Sequence, residues 1–355
     1  MNYDFDLELI FQLNFMQINK SEIKKILCIK PRGIGDIIHS TIVLENLQEY
    51  FPTSEIHYLT EEFAKRAVEN NPYVKRVHTF RKKDFVLKVI NKIRKEKFDL
   101  IFDFWSNPKT AQITFFSGAK YRIGFDKRGR RYAYNIKTIS NDPNLHAAEN
   151  QLVLLEYLGI PIISKKTLFY LRKSDKIFAK NFLEQKINNK NIIGILPSGG
   201  WKSKKCEPKK WIEICKAIDE KFNVKFLILW GPGDELEAKS ISNDLSYSSF
   251  LSPETSVGEM SALINECSLI IANDSGPMHI AAALGVPTIG LFGPTNPNAH
   301  RPYSKNSGYV NKEDLHCIIC NKLTCPYNHE CMKELPVDKV LDKVETLGSD
   351  FLILK

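Results

Sequence analysis

From Ile26 onward the chain alternates short apolar runs with amphipathic stretches. Ile26-Leu27-Cys28-Ile29 reads as a buried strand, followed by a glycine-containing turn and a helix through Leu47. Residues 55–59 form a second strand, with a helix starting near Glu61 or Glu62. Residues 77–80 form a third, residues 85–95 a helix and residues 100–104 a fourth strand. The rhythm restarts after residue 175. Strands fall at 192–196, 226–230, 269–272 and 288–292, and helices at 211–221, 235–245 and 337–347. Strands that alternate with helices imply right-handed crossovers and a parallel sheet covered on both faces. The segment 159–174, which opens Gly159-Ile160-Pro161, separates the two series and marks a hinge.

The expected architecture is therefore α/β, with two doubly wound Rossmann-like domains facing a cleft and ligands at the carboxyl ends of the strands. The expected boundaries are an N-terminal extension at 1–22, a first domain at 23–165, a second at 166–335 and a C-terminal helix at 336–355. The extension reads either as a short amphipathic helix that docks on the body or a membrane, or as a loose tail.

Composition narrows this only slightly. At 355 residues, 43% hydrophobic and 26% charged, the chain is ordinary for a globular protein. It lacks both an apolar run of roughly 18–20 residues and a basic-then-apolar leader, so the expected location is the cytoplasm, with contact at the inner face of the inner membrane left open. The net charge is +9, with basic clusters at 81–83, 92–97 and 127–131. These suit phosphates or acidic headgroups, or are simply solvated faces. No nucleic-acid-reading motif accompanies them, so no nucleic-acid partner is expected.

Three strand-to-helix turns carry candidate chemistry. Asn273-Asp274-Ser275-Gly276-Pro277-Met278-His279 joins a buried strand to an Ala-rich helix. Free N–H groups and the helix dipole favour an anion there, and Gly276 lets a ligand approach the backbone. The alternative is a structural helix capped by Asp274 or Ser275. Gly33-Ile34-Gly35-Asp36 follows the first strand, and Asp36 either faces a ligand or caps its helix. His39, three residues on, shares its helix face. The loop Ser198-Gly199-Gly200-Trp201-Lys202-Ser203-Lys204-Lys205 offers backbone amides and ammonium groups.

Four thiols, Cys317, Cys320, Cys325 and Cys331, fall within 15 residues in C-x2-C-x4-C-x5-C spacing. In a cytoplasmic chain a structural zinc or iron site competes with reduced thiols or a disulfide, and His316 and His329 are substitute ligands.

Taken in order, several segments resemble glycosyltransferase family 9, the ADP-heptose:lipopolysaccharide heptosyltransferases. They are Ile29 to His39, Tyr121 to Asp126 with Gly129-Arg130-Arg131, His146 to Asn150, Pro197 to Trp211, Asp274 to His279 and Gly290 to Thr295. The resemblance implies a GT-B fold and an inverting transferase with no cofactor for catalysis. It implies ADP-heptose as donor and an inner-core lipopolysaccharide acceptor. By it, Asp36 is the general base and Lys204 the cation at the departing diphosphate. Ser198, Gly199, Lys202, Glu235, Asp274, Ser275, Gly276 and His279 would bind donor, with Glu235 on the ribose. Gly33, Gly35, His39, Asp103, Arg122 and Arg130 would line the acceptor side. The chain departs from the family where Cys206 and Glu207 replace a tryptophan and a proline. A same-family enzyme for another nucleotide sugar, an epimerase of similar architecture and a non-catalytic nucleotide-sugar-binding scaffold are the rival readings.

Overall fold

The computed structural model describes residues 18–138, 142, 145–186 and 191–353; most of the extension at 1–22 lies outside the described residues. The chain forms two compact units, Met1–Thr167 and Leu168–Lys355.

The first unit runs β1 (Lys25–Ile29), α1 (Ile34–Ser40), α2 (Ile42–Tyr50), β2 (Glu55–Glu61), β3 (Arg76–Phe80), α3 (Val86–Lys95), β4 (Leu100–Asp103), α4 (Pro108–Phe116), β5 (Tyr121–Phe125), β6 (Ile136–Thr138) and α5 (Glu149–Glu156). The second runs α6 (Lys173–Glu184), β7 (Ile192–Leu196), α7 (Pro208–Lys221), β8 (Lys225–Ile228), α8 (Glu235–Asp244), β9 (Ser249–Leu251), α9 (Val257–Asn265), β10 (Leu269–Asn273), α10 (Gly276–Ala283), β11 (Thr288–Phe292), β12 (Ser307–Asn311) and α11 (Val337–Gly348).

Each unit is built on one six-stranded sheet, ordered β3-β2-β1-β4-β5-β6 in the first and β12-β11-β10-β7-β8-β9 in the second. Every strand pair is parallel. Counted from its own first strand, each sheet runs 3-2-1-4-5-6, so the winding reverses between β1 and β4 and between β7 and β10. Those reversals open a crevice at the carboxyl ends of the central strands. The expected α/β fold class, two doubly wound sheets, is what the chain adopts.

Burial on both faces explains the continuous apolar runs. Along β7, Ile193 and Ile195 join the core around Trp211, while Ile192 and Leu196 join the opposite one around Leu263. Helix α11 drives Val340 and Val344 into the Trp211 core. In α3, Val89, Ile90 and Ile93 face the sheet, and Lys88, Lys92, Arg94 and Lys95 face water.

Two local expectations differ. The helix expected to run through Leu47 is broken at Thr41, because the Ser40 and Thr41 hydroxyls bond back to the Ile37 and Ile38 carbonyls and compete with the helix ladder. The helix expected near Glu61 is a 3-10 segment, Glu62–Ala67, and Glu61 itself ends β2.

Candidate active site

At the reversal point of the first unit, β1 ends in Lys30-Pro31-Arg32-Gly33 and α1 begins. Gly33 caps α1 with φ +80°, and a Cβ there would sit 2.3 Å from Asp36 Oδ2. Only glycine lets the Asp36 carboxylate fold back over the helix start. Gly35 lies inside that first turn. Beneath Asp36 lies Lys30. Its Nζ is 3.7 Å from Asp36 Oδ1, donates to the Phe104 carbonyl at 3.2 Å and stands 4.8 Å from the Trp105 ring centre. The lysine side chain is 7% exposed and the aspartate 46%. Burial pushes the Lys30 ammonium below its usual range, against the pull of Asp36. Lys127 donates to the Trp105 carbonyl at 3.3 Å and adds a second cation near this corner.

Other residues expected on the acceptor side are spent on structure. Asp103 is fully buried. It accepts from the Trp105 and Ser106 amides at 3.1 and 2.9 Å and from the Tyr134 hydroxyl at 2.7 Å. Burial raises its pKa, and those hydrogen bonds oppose the rise. It clamps the turn after β4 through these three donors. Arg122 is held by the Ala133 and Ala119 carbonyls at 3.1 and 2.7 Å, which ties β5 to its neighbours. His39 is buried and packs edge-on against His146, with ring centres 5.1 Å apart. Arg130 is partly exposed and donates to the Arg128 carbonyl at 3.2 Å. Asp36 itself is half-exposed. Lys30 was missed by sequence reasoning. Its only signal is a lysine directly abutting an apolar strand.

At the reversal point of the second unit, the β7 and β10 loops are stitched together. Asn273 is fully buried; its amide donates to the Pro197 carbonyl at 2.6 Å, and its oxygen accepts from the Cys206 amide at 3.3 Å. Lys204 Nζ meets Asp274 Oδ2 at 2.7 Å, and the Thr295 hydroxyl donates to the same carboxylate at 2.6 Å. Burial by itself would raise the Asp274 pKa. Lys204, then His279, outweigh it and hold the carboxyl below its usual range. The aspartate side chain is 6% exposed and the lysine 15%. Lys204 also stands 4.4 Å from the Trp201 ring centre.

Helix α10 begins at Gly276, with Ser275 as a cap residue whose side chain makes no capping bond. The Ser275 Oγ is buried and has no hydrogen-bond partner. An uncapped helix start, an orphan hydroxyl and an adjacent ammonium together suit an anion. His279 is buried one turn into α10. Ser198 Oγ accepts from the Gly231 amide at 3.3 Å, and a Cβ on Gly199 would crowd Lys205 at 2.9 Å. Lys202 is exposed, and Lys205 is taken up by Asp234 and Glu237. Glu235 opens α8 and pairs on the surface with Lys239 at 2.6 Å. Its place is beyond β8, one strand away from the β7/β10 reversal.

The cysteine loop buttresses this site. Ser203, inside the Lys202–Lys204 turn, donates through Oγ to the Lys322 carbonyl at 2.6 Å, and its carbonyl lies 2.7 Å from His329 Nε2. The amides of Ile319 and Asn321 reach the Gly293 and Pro294 carbonyls at 3.2 and 2.7 Å. Cys317, Cys320 and Cys325 are partly exposed and Cys331 is buried. Burial, then the neighbouring Cys325, Cys317 and Cys320, push the Cys331 thiol up to about 12. Among the described residues, the group whose ligand atoms all lie within 4.8 Å of one another is instead His57, His78 and Glu96. Glu96 there is already paired with Arg76 at 3.1 Å and Lys25 at 3.8 Å. Among the described residues no helix is long and apolar enough to cross a membrane.

Two parallel six-stranded α/β sheets, each in the order 3-2-1-4-5-6, are the architecture of glycosyltransferases of the two-domain GT-B type. Glycosyltransferase family 9 (heptosyltransferase) matches residues 86–330, and the chain belongs to that family. It is 27% identical over 352 residues to lipopolysaccharide heptosyltransferase 1 of Campylobacter coli, covering 92% of this chain and 99% of that one. It is 25% identical over 299 residues to the lipopolysaccharide core heptosyltransferase OpsX of Haemophilus influenzae, covering 82% and 85%. Its fold is similar to the structure of E. coli ADP-heptose lps heptosyltransferase II, with TM-score 0.74, 20% identity and coverage of 92% and 99%.

Proposed function

We propose that the protein transfers heptose from ADP-heptose to an inner-core sugar of lipopolysaccharide, with inversion at the anomeric carbon and without a catalytic metal. The activities of its family relatives, lipopolysaccharide heptosyltransferases and an ADP-heptose heptosyltransferase among them, support this donor and acceptor. Asp36 takes the proton from the acceptor hydroxyl as that oxygen bonds to the anomeric carbon. The bond from that carbon to the diphosphate oxygen breaks, and ADP departs with the electron pair. Lys204 and the open start of α10 meet the growing charge, which favours the transition state over the bound ground state. Asp274 holds Lys204 in place, and Asn273 holds the two loops in register. A lipid-linked acceptor together with an ADP-activated donor fits work in the cytoplasm, at the inner face of the inner membrane.

One observation carries the reading. Each reversal point holds a lysine–aspartate pair; in the first unit the carboxylate is the exposed partner, and in the second both partners are largely buried, with the ammonium the less buried of the two. That is the polarity needed for a base on the acceptor and a cation on the leaving group. The test is ADP release from a panel of nucleotide sugars with a delipidated inner-core acceptor. ADP-heptose should turn over only with acceptor present; turnover without acceptor, or selectivity for another nucleotide sugar, would sink the assignment.

The thiols of Cys317, Cys320, Cys325 and Cys331 hold one structural zinc or iron ion. Three partly exposed thiols stand near the buried Cys331, and they would have to draw closer than in this structure to ligate one ion, for which zinc or iron is the match. Its task is to stiffen the loop that braces Ser203, with no part in the reaction. Elemental analysis of protein purified without a His-tag should find about one ion per chain; metal-free, fully active protein would refute it.

A further inference from the structure

We infer that the face of the first unit formed by α3, α4 and the turn at Arg131–Ala133 is a docking surface for a bilayer rich in anionic lipid. This extends the proposed lipid-linked acceptor by naming the surface that meets the membrane.

Five large apolar side chains stand in water on this face. Phe85, Leu87, Phe115, Phe116 and Tyr132 are between 41% and 72% exposed. They form one patch. Lys109, in the first turn of α4, donates to the Arg81, Lys82 and Asp84 carbonyls at 3.5, 3.3 and 3.0 Å, so the loop leading to Phe85 lies on the start of α4. Phe115 and Phe116 follow along α4, on the order of 10 Å further at 1.5 Å per residue. The Phe115 ring packs edge-on against Phe116 at 4.9 Å and against Tyr132 at 5.3 Å. Leu87 sits in the first turn of α3, the helix that packs beside α4.

The charge around the patch is predominantly positive. Arg81, Lys82 and Lys83 precede Phe85, and Lys88 follows Leu87; all four are exposed. Arg128 and Arg131 flank Tyr132 on the other side and are exposed too. Asp84 caps its own turn by accepting from the Arg81 amide at 2.7 Å, and Asp126 is paired with Arg131. Aromatic rings ringed by Lys and Arg match the headgroup layer of an anionic bilayer, where apolar side chains insert and each nearby cation adds attraction. The loop at 81–85 and the loop at 126–131 both follow carboxyl ends of strands. The Phe85 end of the patch therefore lies at the carboxyl end of the sheet, the same end as Asp36.

The test is flotation of the full chain with phosphatidylcholine vesicles and with vesicles enriched in phosphatidylglycerol. Wild type should float with the anionic vesicles and much less with the neutral ones. Phe85→Ser/Leu87→Ser, Phe115→Ser/Phe116→Ser and Lys82→Glu/Lys83→Glu/Lys88→Glu should each lower partitioning tenfold or more. Leu236→Ser, at an exposed site on α8 in the second unit, should leave it unchanged. All variants should melt like wild type and keep wild-type turnover on the delipidated acceptor. Equal binding by wild type and the patch variants would overturn the proposal. So would a patch-dependent dimer in light scattering without vesicle binding, which would assign the face to a second copy. Loss of turnover on the delipidated acceptor would overturn it as well, placing these residues at the sugar. If wild type floats but transfers no heptose, the lipid surface stands and the heptosyltransferase reading falls.

Discussion

The two reversal points use the same strand order and the same pair of residue types, yet they present opposite charges. In the first unit the lysine is buried and the aspartate emerges; in the second the aspartate is buried and the lysine, at 15% exposure, is only slightly less so. Each buried member is satisfied by fixed partners. Lys30 has the Phe104 carbonyl and the Trp105 face, and Asp274 has the Thr295 hydroxyl. The sheet supplies the place, and the choice of which charge to bury supplies the chemistry.

The comparison breaks most sharply at Asp36. Asp36→Asn should lower kcat by about 10²–10⁴-fold and leave ADP-heptose affinity near wild type, as read by steady-state kinetics and donor titration. Substantial retained transfer would remove the base. Next comes Lys204→Met, which should lower kcat/KM by roughly 10²–10³-fold. It also leaves Asp274 buried and unpaired, at a cost of about 3–5 kcal/mol in unfolding measurements. Adding Asp274→Asn should recover most of that stability and none of the activity; recovery of both would make the pair purely structural.

Acid should separate the two units. Burial, then neighbouring His57, hold His78 down to about 4, while the unfolded chain protonates it near its ordinary value. The unfolded state binds more protons between those values, so the first unit loses stability as pH falls through about 6.5 toward 4, on the order of 2–3 kcal/mol. Asp274 works the other way in range. Its pKa is held below the usual carboxylate window, so the second unit keeps that contribution until stronger acid. Hydrogen exchange across a pH series should show β2 and β3 peptides deprotecting before those of β10, and His78→Phe should abolish the lag. The smallest effect belongs to Lys30→Met. With Asp36 half in water, losing a partner 3.7 Å away should lower kcat about fivefold, by removing roughly 1 kcal/mol of positioning, and leave donor affinity alone.

Much of this was legible in the chain. Continuous apolar runs mark β1, β7, β10 and β11 because strands buried on both faces need no alternation. At Gly33 the group that requires glycine is the Asp36 carboxylate itself, a contact within the turn that the spacing alone does not reveal. Strand β5 is hidden because Arg122 and Gly124 interrupt its apolar run; the arginine's N–H groups are satisfied by carbonyls that sequence cannot bring near. Asp103 misled because a carboxylate at a strand end looks the same whether it faces out or in. Tyr134, 31 residues on, decides. Lys30 was invisible for a like reason, as its carbonyl partner is 74 residues away.

The bracing of Ser203 by the segment at 322–329 has a practical consequence. The turn that aims Lys204 draws part of its rigidity from a stretch that contributes no side chain to the reversal-point pair. Damage far along the chain, such as alkylation of an exposed thiol, would then surface in kinetics as poor nucleotide affinity. A survey of inactive variants by position alone would file such lesions under folding, although their imprint would fall on the donor.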